Sequence, residues 1–309
     1  MSQDNAIQTD RLTRYFGKRA VVRDLNFSVP RGSIVGLLGL NGAGKSTAIR
    51  MMMGFLTPTR GRCEILGRNS QDLKPEDRVR IGYAVEGHFL YPWMKVQDCE
   101  AFGRDTFPRW SREQFYATVD RFGIDPSQKV NWLSRGQRAG VSLASTISSD
   151  PELLVLDDPA LGLDPVSRRA LNETLLDFND SGTRTVLISS HMLDDIERIC
   201  DRIAIMVAGR ILVDCKLDEF RSRIAAWSIE SSNDPGTNGK IPGLIHSHRR
   251  SHSWIVTVAN PSEATLSALE QLGAVSCEPV DITFEEAVIA YLARSRRSDT
   301  FLSGARAAS

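Results

Sequence analysis

The stretch Ser33-Ile34-Val35-Gly36-Leu37-Leu38-Gly39-Leu40-Asn41-Gly42-Ala43-Gly44-Lys45-Ser46 decides the fold. After Ser33 the run is apolar through Leu38, the signature of a strand buried on both faces. Glycines follow, and the residues from Lys45 to Leu56 predict a helix with a Met-rich apolar side. Strand, glycine-rich loop and helix in that order open a parallel α/β sheet. Residues 39–46 also fit G-x-x-x-x-G-K-[ST]. Glycines let backbone amides wrap phosphates that a Cβ would keep away. The helix start directs its N-terminal amides and partial positive charge at the same anion. Lys45 is then placed to neutralise β and γ phosphates, and Ser46 to hold Mg²⁺. A polyphosphate with Mg²⁺ is the expected ligand.

Working outward, two further buried strands are predicted at Leu153 to Leu156, ending at Asp157, and at Thr185 to Ser189, ending near His191. Asp157 is thereby delivered to the carboxyl edge of the sheet beside the phosphate loop, where it supports Mg²⁺. Arg202 to Val207 and Arg210 to Val213 read as a hairpin turned by Ala208-Gly209. The first forty residues alternate around turn signals, as in Arg19 to Val29, and predict short antiparallel strands. Between about 88 and 135 aromatics concentrate and the pattern turns helical, with breaks at Pro92 and Pro108. Such aromatics serve a small helical subdomain's own core, a partner groove, or both.

Composition narrows the function. Among 309 residues, Lys+Arg is 38 and Asp+Glu is 38, so no basic surplus exists to neutralise nucleic-acid phosphates; no nucleic-acid partner is expected. No stretch approaches the roughly 18 apolar residues that cross a bilayer. Met1 to Asp10 is polar, unlike a signal peptide. A membrane role therefore needs a separate partner. Five cysteines without a Cys-x-x-Cys pair suggest reduced thiols in the cytosol.

Leu133-Ser134-Arg135-Gly136-Gln137 opens another helix, and with it the chain resembles the ATP-binding subunit of an ABC transporter. The pentad resembles the family's Leu-Ser-Gly-Gly-Gln signature, and the motif order matches. The resemblance implies a P-loop NTPase core over residues 1–225, with an N-terminal antiparallel β layer and the helical subdomain. ATP-binding positions would be Gly39, Asn41, Gly42, Gly44, Lys45, Ser46 and Thr47, with Phe16 stacking on adenine and Tyr15 as its alternative. Two such subunits, in a homo- or heterodimer, would close head to tail, so that Ser134, Arg135, Gly136 and Gln137 meet the partner's nucleotide. Asp164, in Leu161-Gly162-Leu163-Asp164, would be the contact of the loop running between sites. His191 would be the switch histidine. An integral membrane transport subunit would be the second partner, which places the chain on the cytoplasmic face of the membrane.

Two positions depart from the family's pattern. Glu86, after Ile81-Gly82-Tyr83-Ala84-Val85, stands where Gln is usual and could ligate Mg²⁺. Asp158 stands where a Glu general base is usual, one methylene shorter, roughly 1.5 Å. Misplacement of about 1 Å can cost on the order of 10²-fold in rate. Asp158, His191 and Glu86 are the candidate catalytic residues; Ser46, Asp157 and Glu86 the candidate metal ligands. An active motor and a regulatory ATP-binding module with slow turnover both stay open. A soluble ABC-type ATPase acting on ribosomes or DNA is disfavoured by the single phosphate loop. Glu86, Phe89, Tyr91 and Trp93 are the expected contacts with the membrane subunit.

Residues 226–294 read as a small C-terminal α+β region. Asn233 to Gly239 forms a loop, Leu244 to Val258 two strands around a polar turn, and Ser262 to Leu272 and Thr283 to Leu292 helices. The last helix and Tyr91-Pro92 resemble exporter-type bacterial subunits, so export is favoured over import. His246, His248 and His252 read as a solvated hairpin tip or, alternatively, a zinc or copper site. Residues 295–309 are Ser/Arg/Ala-rich and predict a disordered tail.

Overall fold

The computed structural model describes residues 4–85, 90–231, 234–235, 241–271 and 276–293. The chain divides into two compact units, Met1–Asp214 and Cys215–Ser309.

The first unit opens with β1 (Asn5–Phe16) and β2 (Arg19–Pro30), followed by β3 (Ile34–Leu38) and α1 (Lys45–Met52). Then come β4 (Arg60–Ile65), β5 (Arg68–Asn69), the short α2 (Pro75–Arg78) and β6 (Ile81–Val85). Three helices follow, α3 (Val96–Thr106), α4 (Arg112–Arg121) and α5 (Arg135–Ile147). Strand and helix then alternate through β7 (Leu153–Asp157), α6 (Pro165–Asn179), β8 (Thr185–Ser190), α7 (Leu193–Ile199), β9 (Arg202–Val207) and β10 (Arg210–Lys216).

Two sheets result. The six-stranded one runs β10-β9-β3-β8-β7-β6, and the pairs β9/β3, β3/β8, β8/β7 and β7/β6 are parallel. Every residue of β3, β7 and β8 is buried, as expected of strands covered on both faces. The four-stranded antiparallel layer runs β2-β1-β4-β5. One apolar core joins the layers, with Leu25 and Phe27 from β2, Ile49 and Met52 from α1, and Leu37 and Val155 from the central strands. The α/β core with its antiparallel layer is thus the fold expected from the phosphate-loop stretch.

Some elements differ from expectation. The N-terminal strands are not short: β1 and β2 run twelve residues each. Register shifts between Thr9 and Arg14 and positive φ at Arg11 (44°) and Asp24 (45°) bulge the pair and break the alternation that sequence periodicity depends on. Helix α1 stops at Met52 rather than Leu56. Gly54 turns left-handed (φ 73°), and a Cβ there would lie 2.1 Å from the Ser70 carbonyl oxygen.

The aromatics of residues 88–135 divide between a core and the surface. Phe115 is fully buried with Val96, Val119 and Val141, and Trp110, Tyr116 and Phe122 pack against that cluster. Gly103 and Gly140 make room for Trp110 and Phe122, whose rings would lie 2.1 and 2.4 Å from an added Cβ. Tyr91, Trp93, Phe102 and Trp132 are instead exposed.

The second unit contains α8 (Leu217–Arg223), β11 (Ile224–Ile229), β12 (Leu244–Arg250), β13 (Ser253–Ala259), α9 (Glu263–Glu270), β14 (Cys277–Val280) and a helix over residues 284–293. Its antiparallel sheet runs β12-β13-β11-β14. One face packs Trp227, Ile229, Val256 and Val258 against Leu269 of α9. Phe220 of α8 meets Phe284 and Tyr291 at 5.8 and 5.9 Å. Most of the expected 233–239 loop and the whole 295–309 tail lie outside the described residues.

Candidate functional site

The loop between β3 and α1 reverses through left-handed glycines, Gly42 at φ 81° and Gly44 at φ 108°. Gly44 is the N-cap of α1, and its Cβ would lie 2.8 Å from the Val21 carbonyl oxygen. A Cβ on Gly39 would lie 2.5 Å from the Met206 carbonyl oxygen. Both positions therefore require glycine, and the loop closes on itself around a cleft of about 350 Å³. Asn41, Gly42, Gly44, Lys45, Ser46 and Thr47 line it, joined by Asp158 from beyond β7.

Lys45 is nearly buried and donates from Nζ to the Gly39 carbonyl at 2.8 Å, so the ammonium is held curled into the loop. It lies 3.8 Å from the Asp158 carboxylate. Ser46 donates its hydroxyl to Asp157 Oδ1 at 3.1 Å, which joins the first turn of α1 to the end of β7. A hydroxyl and a carboxylate oxygen at that spacing form a hard-oxygen pair of the type Mg²⁺ uses.

Parallel pairing puts Asp157 opposite Ser189. The buried Ser189 hydroxyl donates to Asp157 Oδ1 at 2.7 Å and accepts from the Asp158 backbone N–H at 3.0 Å. One side chain thus fixes both carboxylate residues. Asp158 is left-handed (φ 50°), a conformation that costs a non-glycine residue and persists where its surroundings over-determine it. Its Oδ1 lies 2.9 Å from Nδ1 of His191, which follows β8 directly. Lys45, Ser46, Asp157, Asp158 and His191 accordingly form one connected group at the carboxyl edge of the sheet.

The signature pentad forms the start of α5. Ser134 is its N-cap and shares a capping box with Gln137: the Gln137 N–H donates to Ser134 Oγ at 3.1 Å, and the Ser134 N–H donates to Gln137 Oε1 at 3.0 Å. The hydroxyl proton of exposed Ser134 stays available to a partner. Gly136 is buried, and a Cβ there would lie 2.0 Å from Ser167 Oγ and 3.0 Å from Asp164 Oδ2. Arg135 lies along Gly162, whose added Cβ would sit 2.5 Å from the guanidinium. Asp164 caps α6, accepting the N–H groups of Val166 and Ser167 at 3.0 Å and the Ser167 hydroxyl at 2.6 Å. These bonds, the Ser167 hydroxyl first, hold its carboxyl below the usual range. The 133–137 pentad and the 161–164 loop are therefore packed together within one chain.

Other expected residues lie apart from this group or outside the described residues. Phe16 and Tyr15 stand exposed at the end of β1, and neither is among the residues lining the cleft. Arg14 stacks its guanidinium 4.9 Å above the Phe16 ring. Glu86 and Phe89 lie outside the described residues. Tyr91 and Trp93 are exposed and 5.0 Å apart. Near the end of β6 a second groove of about 480 Å³ is lined by Arg50, Phe55, Tyr83, Leu90 and Ser145. Sequence reading did not single out Val21, which lines the cleft, or Ser189. Only Ser189 left a trace, as the first of two consecutive serines closing a buried strand before His191.

Residues 22–161 match the family described as ABC transporter. The chain is 35% identical to the Nod factor export ATP-binding protein I of Bradyrhizobium diazoefficiens, over 69% of this chain and 70% of that protein. It is 31% identical to the probable multidrug ABC transporter ATP-binding protein YbhF of Escherichia coli over 81% of its own length, but spans only 43% of that longer relative. A solved structure of an ATP-binding subunit of an ABC transporter superposes with a TM-score of 0.63 at 28% identity, covering 70% of this chain and 92% of that one.

Proposed function

Because this chain belongs to the ABC transporter family, we propose that it binds and hydrolyses Mg-ATP and thereby drives export through a separate integral membrane subunit. The observation that carries the reading is the convergence of Lys45, Ser46, Asp157, Asp158 and His191 on one glycine-walled cleft. Names of relatives that refer to multidrug transport and Nod factor export favour the export direction.

The residues fit a magnesium nucleotide. Glycines 39, 42 and 44 leave the backbone amides open to phosphate, and the cleft's fixed cation is Lys45. Ser46 and Asp157 would hold Mg²⁺, with Glu86 as the third candidate ligand; once bound, the ion neutralises charge on the β and γ phosphates. Asp158 would accept the proton of the attacking water. His191 would orient that carboxylate and carry its other ring nitrogen toward the γ phosphate. Lys45 would leave Asp158, 3.8 Å away, for the phosphate oxygens. The shorter Asp is compatible with this work because the left-handed backbone at residue 158 and the His191 bond already set its direction.

Two copies, or this chain and a related subunit, would close head to tail. The Ser134 hydroxyl, the Gly136 amide, Arg135 and Gln137 would then face the partner's nucleotide, and Asp164 would lie along the shared interface. Phe16, with Tyr15 as alternative, would stack on adenine. The groove beside Tyr83 and the exposed pair Tyr91 and Trp93 would seat the membrane subunit, with Glu86 and Phe89 completing the contact. No described helix is long and apolar enough to cross a membrane; attachment at the cytoplasmic face would come through the membrane subunit.

Steady-state Mg-ATP hydrolysis by the purified chain, against Lys45→Ala as blank and Asp158→Glu as the lengthened base, tests the reading. A motor gives wild-type turnover well above the blank and little gain from Asp158→Glu. Turnover at the blank that rises severalfold in Asp158→Glu would identify a slow regulatory module. Pull-down from membranes that recovers no integral membrane protein would remove the transport part.

A further inference from the structure

Strand β1 ends in Arg14-Tyr15-Phe16, and the Arg14 guanidinium lies 4.9 Å over the Phe16 ring. Among the described residues no cation lies over the ring of Tyr15, so the two aromatics differ in their surroundings. We propose that Arg14 is a positioning residue for the nucleotide: it braces the Phe16 ring from behind and leaves the open face to a purine base. The inference rests on the reading of Phe16 as the adenine contact.

The guanidinium is itself held. Its Nη1 donates to the Thr57 carbonyl at 2.7 Å. The segment carrying Thr57 is tied to β1 on either side of Arg14: the Thr59 N–H donates to the Thr13 carbonyl at 2.8 Å, and the Tyr15 N–H donates to the Thr59 hydroxyl at 3.2 Å. Arg14 Nε is buried without a hydrogen-bond partner, and among the described residues no carboxylate pairs with the guanidinium. The Phe16 ring face is therefore the remaining attraction for this charge. Such a contact strengthens as the cation is taken out of water.

Anchor and cleft lie on opposite sides of β1. The sheet runs β2-β1-β4, and Thr57 leads into β4, whose Arg60 pairs with Thr13. The phosphate-loop cleft is reached instead from β2, through Val21, whose carbonyl oxygen crowds Gly44. Arg14 thus covers the ring from the side away from the cleft. Phe16 remains 49% exposed, which leaves a face free for stacking. A cation behind the ring draws electron density from that free face, so an electron-rich base stacks on it more favourably. Bracing also fixes the ring before the base arrives, which lowers the ordering cost of binding.

The test is equilibrium binding of Mg-ATP, and of Mg-tripolyphosphate, which carries the phosphates without a base. The proteins are full-length wild type, Arg14→Leu, Arg14→Lys, Phe16→Leu and the Arg14→Leu, Phe16→Leu double variant. Arg14→Leu is expected to weaken Mg-ATP by about three- to tenfold with tripolyphosphate unchanged. Arg14→Lys, which keeps the charge, should fall between wild type and Arg14→Leu. In the Phe16→Leu background Arg14→Leu should add nothing, because the two residues act through one contact. Wild-type ATP affinity in Arg14→Leu, an equal loss for tripolyphosphate, or a further loss in the double variant would overturn the inference while a loss in Phe16→Leu upholds the adenine contact. Wild-type affinity in Phe16→Leu would remove that contact, and this inference with it.

Discussion

Nδ1 of His191 and Oδ1 of Asp158 lie 2.9 Å apart, joining the residue after β8 to the residue after β7. The bond orients the carboxylate that we propose as the general base. Loss of the imidazole should therefore reduce chemistry more than binding. For His191→Ala we expect kcat for Mg-ATP to fall about 10²-fold, with the nucleotide Kd within a few-fold of wild type. A proportional loss of binding would assign His191 to nucleotide affinity instead.

Ser189 acts through its neighbours. Its hydroxyl bonds the Asp157 carboxylate and the Asp158 N–H together, so Ser189→Ala unfixes both. Leaving buried groups without partners costs about 1–3 kcal/mol, which corresponds to roughly 10- to 100-fold in rate if expressed at the transition state. The expected signature is a lowered kcat, a raised Mg²⁺ requirement and partial rescue by Ser189→Thr. A lowered melting temperature with unchanged kcat and Mg²⁺ dependence would make the residue merely structural.

The proposed adenine contact distinguishes two adjacent aromatics. Stacking of a base on an aromatic ring contributes about 1–3 kcal/mol. Phe16→Leu should weaken ATP binding by about tenfold and Tyr15→Leu by much less, measured by equilibrium binding to the Lys45-intact protein. The reverse order would move the contact to Tyr15.

One stability effect follows from charge alone. Arg80 bonds Glu152 through two parallel N–H groups at 2.6 and 2.8 Å, and this pairing lowers the Glu152 pKa. A depressed carboxyl pKa adds stability above the unfolded value and loses it as pH falls through the folded one. Glu152→Gln should therefore be less stable than wild type at pH 7, by no more than about 1 kcal/mol since both side chains are partly exposed. The two urea midpoints should converge in the acid range, below the normal carboxyl pKa. A gap that widens with acid would contradict the assignment.

The geometry of the loop between β3 and α1 was legible because it is local: eight contiguous residues fix the turn, the helix start and the placement of Lys45 and Ser46. Asp157 was legible as the acid closing an apolar strand. Ser189 was not, because only the parallel register of β7 against β8 sets it opposite Asp157. Nor was Val21, which comes to the cleft from β2, where its carbonyl oxygen crowds Gly44. The long β1/β2 pair was hidden by its bulges, since a register shift breaks the period-two pattern that reveals a strand. Of the histidines of the second unit read as a hairpin tip, His252 lies at the turn between β12 and β13, while pairing places His246 and His248 within β12.

The central claim is that Asp158 serves as the base of a working ATPase site. Single-turnover and steady-state hydrolysis by wild type and Asp158→Asn, at saturating Mg-ATP and with binding measured in parallel, tests it most directly. The account predicts that Asp158→Asn binds Mg-ATP within a few-fold of wild type and hydrolyses it about 10²-fold or more slowly. Equal hydrolysis by the two proteins, or a wild-type rate no higher than that of Lys45→Ala, would contradict it.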